Sequence, residues 1–136
     1  MYSFEVTDYG FMFISNGFFS LEVAKAWNAD FHKTLEKVVQ IGRPFGQFAD
    51  LRGFKPGPPE SQAYITESMK AFKKAGGRRA IVLFDTHLAT MHIKRLAKES
   101  GIYEWERYID AETFPNFEKV VLAWLNEGAD PDFIKK

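Results

Sequence analysis

The sequence predicts one α/β domain built on a mixed sheet of about five strands, in the order β-β-α-β-α-β-α-β-α and spanning residues 1–136. Three observations predict it. Residues 2 to 7 alternate, with Tyr2, Phe4 and Val6 on one side and Ser3, Glu5 and Thr7 on the other, the period of a half-buried strand. Later stretches repeat apolar residues at steps of three and four, the stripe of a helix laid on a sheet. Between them Ala80-Ile81-Val82-Leu83-Phe84 is apolar without alternation, as in a central strand covered on both faces. A chain of 136 residues is long enough for one hydrophobic core without staples.

The elements follow in order. Asp8-Tyr9-Gly10 reads as a tight turn into a second strand, Phe11 to Ile14, closing an N-terminal hairpin. Ser20 suits a helix N-cap, because its side-chain oxygen can take an orphan amide. Leu21, Ala24, Trp27, Phe31, Leu35 and Val38 form the inner stripe of that helix, Gly42 its left-handed stop, and Pro44 bars continuation. Phe45 to Asp50 is the next strand. Gly53 and the run Lys55-Pro56-Gly57-Pro58-Pro59 make an irregular loop, and prolines suit the approach to a helix, where missing amides cost nothing. Ile65, Ser68, Met69 and Phe72 mark the second helix's inner face, and Gly76-Gly77 ends it. Asp85-Thr86 caps a third helix with Ala89, Ile93 and Leu96 inward, ended by Gly101. Arg107 to Ile109 is a short edge strand. Asn116 caps a last helix that turns Phe117, Val120, Val121 and Trp124 inward and stops at Gly128, leaving Pro131 to Lys136 as a loose tail.

Composition excludes several classes. With no Cys, disulfides, thiolate nucleophiles and Cys-ligated metals drop out. No apolar run nears the roughly 18 residues of a membrane span. Met1-Tyr2-Ser3-Phe4-Glu5 lacks the basic-then-apolar plan of a leader, so a soluble, cytoplasmic protein is expected. The 18 basic and 18 acidic residues balance overall but not locally. Residues 70 to 98 hold eight basic side chains against Asp85, a net of +7; residues 99 to 132 hold nine acids against Arg107 and Lys119, a net of −7. The basic stretch suits an anionic surface or an acidic partner, or it is simply a solvated helix face. Nucleic acid is not expected, since no reader motif occurs and the acidic stretch follows directly.

Ligand sites in open α/β sheets lie beyond the carboxyl ends of strands. Two segments leave strand ends here, Asp50-Leu51-Arg52-Gly53-Phe54 and Asp85-Thr86-His87. Asp50 and Arg52 can hold a polar group or pair with loop charges. Asp85, Thr86 and His87 can form an acid/base cluster or merely cap a helix. His87 and His92 stand five apart, the wrong spacing for a helical metal pair, and His32 stands alone; no metal and no cofactor are expected. Gly76-Gly77 precedes a strand, the reverse of a dinucleotide fingerprint, and no Gly-x-Ser-x-Gly elbow occurs. Aromatics make up 16% of the chain, with 14 Phe. Phe18-Phe19 at a turn can insert into a membrane or a partner groove, or staple the first helix. Phe54, Tyr64, Met69, Met91 and Ile93 are candidates to line an apolar cavity between the sheet and the second and third helices.

Phe48-Ala49-Asp50-Leu51-Arg52-Gly53-Phe54 resembles the strand-loop signature of the SpoIIAA-like branch of the STAS-like proteins. Arg95 to Tyr103, Arg107-Tyr108-Ile109-Asp110 and Val121-Leu122-Ala123-Trp124-Leu125 are also similar, so the resemblance runs over nearly the whole chain. It implies a small bacterial protein with the fold of anti-sigma-factor antagonists, distantly similar to CRAL-TRIO lipid-binding domains. Those antagonists carry a phosphorylatable Ser as the second helix begins. Here Glu60 stands about there, with Ser61 one step on, so phospho-switching is not expected.

The leading expectation is a non-catalytic binding module for an apolar or amphipathic, lipid-like small ligand. Its ligand residues would be Asp50, Arg52, Phe54, Tyr64, Asp85, Thr86, His87 and Met91. Phe18, Phe19, Lys70, Lys73, Lys74, Lys94 and Arg95 would form a membrane or partner surface at the inner face of the membrane. The alternative is a STAS-like protein-interaction module without Ser phosphorylation. A hydrolase or transferase using Asp85 and His87 comes third. A homodimer is expected, since exposed aromatics need cover and two-fold dimers are the commonest oligomers.

Overall fold

A computed structural model describes residues 1–133 and folds them as one α/β domain. In chain order the elements are β1 (Tyr2–Thr7), β2 (Gly10–Ser15), β3 (Gly17–Phe18), α1 (Leu21–Ile41), β4 (Gly46–Asp50), β5 (Phe54–Lys55), α2 (Pro59–Lys74), β6 (Ala80–Phe84), α3 (His87–Ser100), β7 (Glu106–Asp110) and α4 (Phe117–Glu127). The main sheet has the order β1-β2-β4-β6-β7. Its first pair is antiparallel and the other three are parallel. The strands advance in one direction across the sheet. Successive right-handed crossovers must then lie on one face, and α1, α2 and α3 all do, over Phe11, Phe13, Ala49, Ala80 and Val82. After the last strand α4 turns back to cover Phe48, Ile81, Leu83 and Ile109 on the opposite face. That two-sided cover is why β6 carries no alternation.

Local signals act at their expected places. The Ser20 side chain accepts from the Val23 amide, and Gly42 stops α1 in the left-handed region. Pro59 opens α2. Thr86, rather than Asp85, caps α3 by accepting from the Ala89 amide. Asn116 precedes α4 without a side-chain cap bond, which corrects the capping expectation. Its backbone sits outside the extended region that aims an N-cap oxygen back at the helix amides.

Two further expectations change. Gly17-Phe18 and Phe54-Lys55 pair parallel as a separate two-stranded ribbon, too short to leave a periodicity. In the expected tail, Pro131–Phe133 forms a 3-10 turn with Pro131 buried, and Asp130 is fastened to Arg107; residues 134–136 of the tail lie outside the described residues.

The aromatic surplus is mostly core. Phe11 and Phe13 face α1 and are buried, and Phe4 packs its ring on Phe13, Trp27 and Phe31. Phe19 is also buried, against Trp27 and Phe54. It therefore belongs to the interior and not to the expected membrane or partner surface; only its neighbour Phe18 stays exposed. Adjacent residues of the short ribbon and its exit point to opposite sides, so the pair divides.

Candidate binding site at the β7 edge

The sheet register brings three polar or small side chains into one row on the face beneath the helices. Gln47 pairs with Ala80, and Ala80 pairs with Glu106. The next row is Ala49, Val82 and Tyr108. Small residues in the middle of a sheet otherwise covered by rings leave room. A chamber of about 40 Å³ results, walled by Trp27, Phe31 and Phe54 above Ala49 and Val82, with Gln47 and Glu106 on its boundary. Phe13, Phe19, Met69 and Ile93 complete the apolar wall.

Its polar groups differ in how they are satisfied. Ser68 donates to the Tyr64 carbonyl at 2.9 Å and accepts from Asn28 Nδ2 at 2.9 Å. Glu106 Oε1 accepts from the Tyr108 hydroxyl at 2.7 Å. By contrast Trp27 Nε1 and Gln47 Oε1 are buried without a partner. Glu106 is 2% exposed, and burial raises its carboxyl from the ordinary 4.5 to about 7, against a smaller opposing effect of the Tyr108 hydrogen bond. Burial also raises the Tyr108 hydroxyl, aided by the Glu106 charge, so Tyr108 remains a donor.

Glu106 also borders a second space. An open cleft of about 330 Å³ lies outside it, lined by Lys94, Tyr103, Glu104, Arg107, Tyr108 and Asp132. Tyr103 and Tyr108 stack at 6.1 Å. Lys94 and Lys98 lie over their faces at 5.1 and 4.8 Å, a cation–π arrangement. Arg107 is fixed by Asp130 at 3.0 Å and the Glu104 carbonyl at 2.8 Å, with its guanidinium 4.4 Å from the Trp124 ring centroid. The buried Glu106 is thus the residue that the aromatic interior and the polar exterior share.

The residues singled out by sequence go elsewhere for the most part. Arg52 grips Asp50 through Nε at 3.0 Å and Nη2 at 2.7 Å, and lies over the Phe117 ring. Asp85 accepts from the Gly53 amide at 3.0 Å. These contacts pin the 51–54 loop to the end of β6. Thr86 caps α3, and His87 is exposed beside it. Phe54 does line the chamber; Tyr64 packs next to it through its carbonyl contact with Ser68. Met91 does not line it and is 57% exposed. Ala89 and Ile93 face inward, and a residue two steps from each points about 200° away. In the basic stretch, Lys73 donates to the Gly101 carbonyl, Arg95 binds Gln62 and Glu99, and Lys94 serves Tyr108. Lys70 and Lys74 are exposed on α2. Arg78 and Arg79 turn away to the Leu125 carbonyl at the end of α4, so the charge is divided between two ends of the fold.

One prediction follows from the loop. Arg52→Ala leaves the buried Asp50 carboxylate with only the amide of residue 52 at 3.2 Å. Because Arg52 itself is half-exposed, solvent screens part of the pair. The expected loss is about 1–2 kcal/mol in urea unfolding.

Trp27, Gln47, Ser68 and Glu106 were not singled out as site residues by sequence. Trp27 and Ser68 read only as inner-face helix residues, and Glu106 only as one acid among nine. A polar Gln inside the short strand was the available signal; placing it in one row with Glu106 needs the pairing of three strands. No family model matches this chain, and no curated protein or solved structure matches it. Among the described residues, no helix is long and apolar enough to cross a membrane, and no group of three His, Asp or Glu is arranged to hold a metal ion.

Proposed function

We propose that the protein is a non-catalytic binding module for a small amphipathic molecule, taken up at the open edge of β7. The observation that carries this reading is that Glu106 borders both the aromatic chamber and the polar cleft. Part of the ligand lies in the cleft among Lys94, Tyr103 and Tyr108; a short end group reaches into the chamber toward Trp27 and Phe31. The cleft falls in the size range of small-molecule sites, about 300–1,000 Å³. The chamber is far smaller than the engineered cavity of about 150 Å³ that admits benzene. A short end group therefore fits where a long acyl chain does not, which narrows the lipid-like ligand expected from sequence. The resemblance to SpoIIAA-like and STAS-like proteins, with their distant lipid-binding relatives, leans the same way by analogy of fold alone.

The test is native mass spectrometry of gently purified protein, with solvent extraction of the same sample. The expected result is a co-purifying small molecule that is lost from Ala49→Leu, which fills the chamber. An apo mass, with no spectral change on titration of short amphiphiles, overturns the reading.

A second reading, a protein-interaction module, is favoured by Leu88 and Met91. They stand one turn apart on α3 and are both strongly exposed. Ser61 is completely buried, so this reading runs without phosphorylation at that residue, as the sequence suggested. Membrane docking draws less support, because Phe19 is interior and Lys94 and Arg95 are engaged.

A further inference from the structure

The chamber's two unpartnered atoms define what its occupant must carry. Trp27 Nε1 is a donor and nothing else; Gln47 Oε1 is an acceptor. Both side chains are more than nine-tenths buried, at 4% and 7% exposure, and both line the same small space. Of their polar neighbours, Ser68 is engaged by Tyr64 and Asn28 and one Glu106 oxygen by Tyr108, while Ser15 also lines the space. A buried polar group left unpaired bears its desolvation cost in full, so a ligand that pairs it gains that difference.

Simple chemistry sorts the candidates. A carboxylate cannot donate to Gln47, and it faces Glu106. A ketone or ether cannot donate either. An ammonium cannot accept from Trp27. A hydroxyl does both with one heavy atom, and it satisfies the Gln47 amide in either orientation, because it donates and accepts. About 40 Å³ holds only a few heavy atoms, since one water needs about 10–15 Å³ by the same measure, so a compact end group is what the space favours. Resting on the binding reading above, we infer that the chamber takes the hydroxyl-bearing end of a short neutral alkyl chain, held between Trp27 Nε1 and Gln47 Oε1.

The experiment is an NMR titration of the full chain with 1-butanol, 1-fluorobutane and 1-butylamine, following the Trp27 indole N–H. The expected result is 1-butanol binding about tenfold more tightly than 1-fluorobutane, the value of roughly one hydrogen bond, with the Trp27 N–H moving downfield. Gln47→Leu and, separately, Trp27→Phe are expected to shrink that preference to about threefold or less; two variants guard against one failing to fold. Equal binding of the alcohol and the fluoride to the native chain overturns the hydroxyl assignment and leaves the binding reading standing. Tighter binding of the amine also overturns it, in favour of a cation held by Glu106. Binding of none of the three overturns both.

Discussion

Replacing Gly10 with alanine is expected to cost about 3 kcal/mol and to disturb the start of the sheet. A Cβ at this position would meet the Gly46 carbonyl oxygen at 2.1 Å and its amide nitrogen at 2.7 Å. These are backbone atoms of the neighbouring strand, and they cannot rotate aside. Gly10 also holds φ at +140°, a region that side chains rarely occupy and that strains them by about 1–3 kcal/mol. Overpacking adds about 1–3 kcal/mol. The two glycines let β2 and β4 begin close together, with the Gly46 amide donating to the Tyr9 carbonyl at 2.7 Å. Urea unfolding of Gly10→Ala measures the loss. A variant as stable as the native chain would mean that the Gly10–Gly46 approach is not part of the fold. Gly42→Ala is the useful control. It shares a positive φ but has open space around it, so it bears the strain without the clash.

The contrast between those glycines explains what was legible in the sequence. Gly42 is legible because a helix stripe ends there and the chain must turn. Gly10 reads only as a turn residue; its close approach to Gly46 depends on a parallel pairing across 36 positions, which no local period reports. The same division runs through the fold. Ser20, Gly42 and Pro59 act within one turn of the chain and were readable. The ribbon of Gly17-Phe18 and Phe54-Lys55 was not, because two residues make no pattern.

The site was less legible than the fold for a related reason. Strand ends point to Asp50, Arg52 and Asp85, but Arg52 pairs with Asp50 and Asp85 accepts from the Gly53 amide. Charged residues near a strand end are as suited to holding a loop as to holding a ligand. Met91 illustrates a different failure. Ala89 and Ile93 face inward, so helical geometry turns Met91 outward; its apolar side chain suits a cavity but its phase on the helix does not. Glu106 and Gln47 belong to a row that forms only when β4, β6 and β7 are in register. A single acid in an acidic stretch carries no sign that it will be buried.

The burial of Glu106 makes the second large prediction, in the pH dependence of stability. Its carboxyl is at about 7 in the folded chain against an ordinary 4.5. Below pH 4.5 it is protonated whether the chain is folded or not, and folding bears no ionisation cost. Between pH 4.5 and 7 the unfolded chain gives up this proton and the folded chain keeps it, so stability falls as pH rises. Above pH 7 the loss is complete, at about 3 kcal/mol by linkage. Glu106→Gln keeps an oxygen for the Tyr108 hydroxyl and cannot ionise. It is therefore expected to match the native chain near pH 4.5 and to exceed its stability by up to about 3 kcal/mol at pH 8, read from urea unfolding across that range. Other groups act differently. Burial lowers the His92 pKa, with Arg95 adding to the shift; its contribution is present above pH 6.5 and lost as pH falls, and partial exposure keeps it small. Arg107 lowers Asp130, whose contribution is lost only in stronger acid. Both are shared by the variant and the native chain, so the difference between the two profiles isolates Glu106. Parallel profiles would mean that water already reaches the carboxyl. The wall between chamber and cleft would then be wet, and a ligand crossing it would gain nothing from drying it.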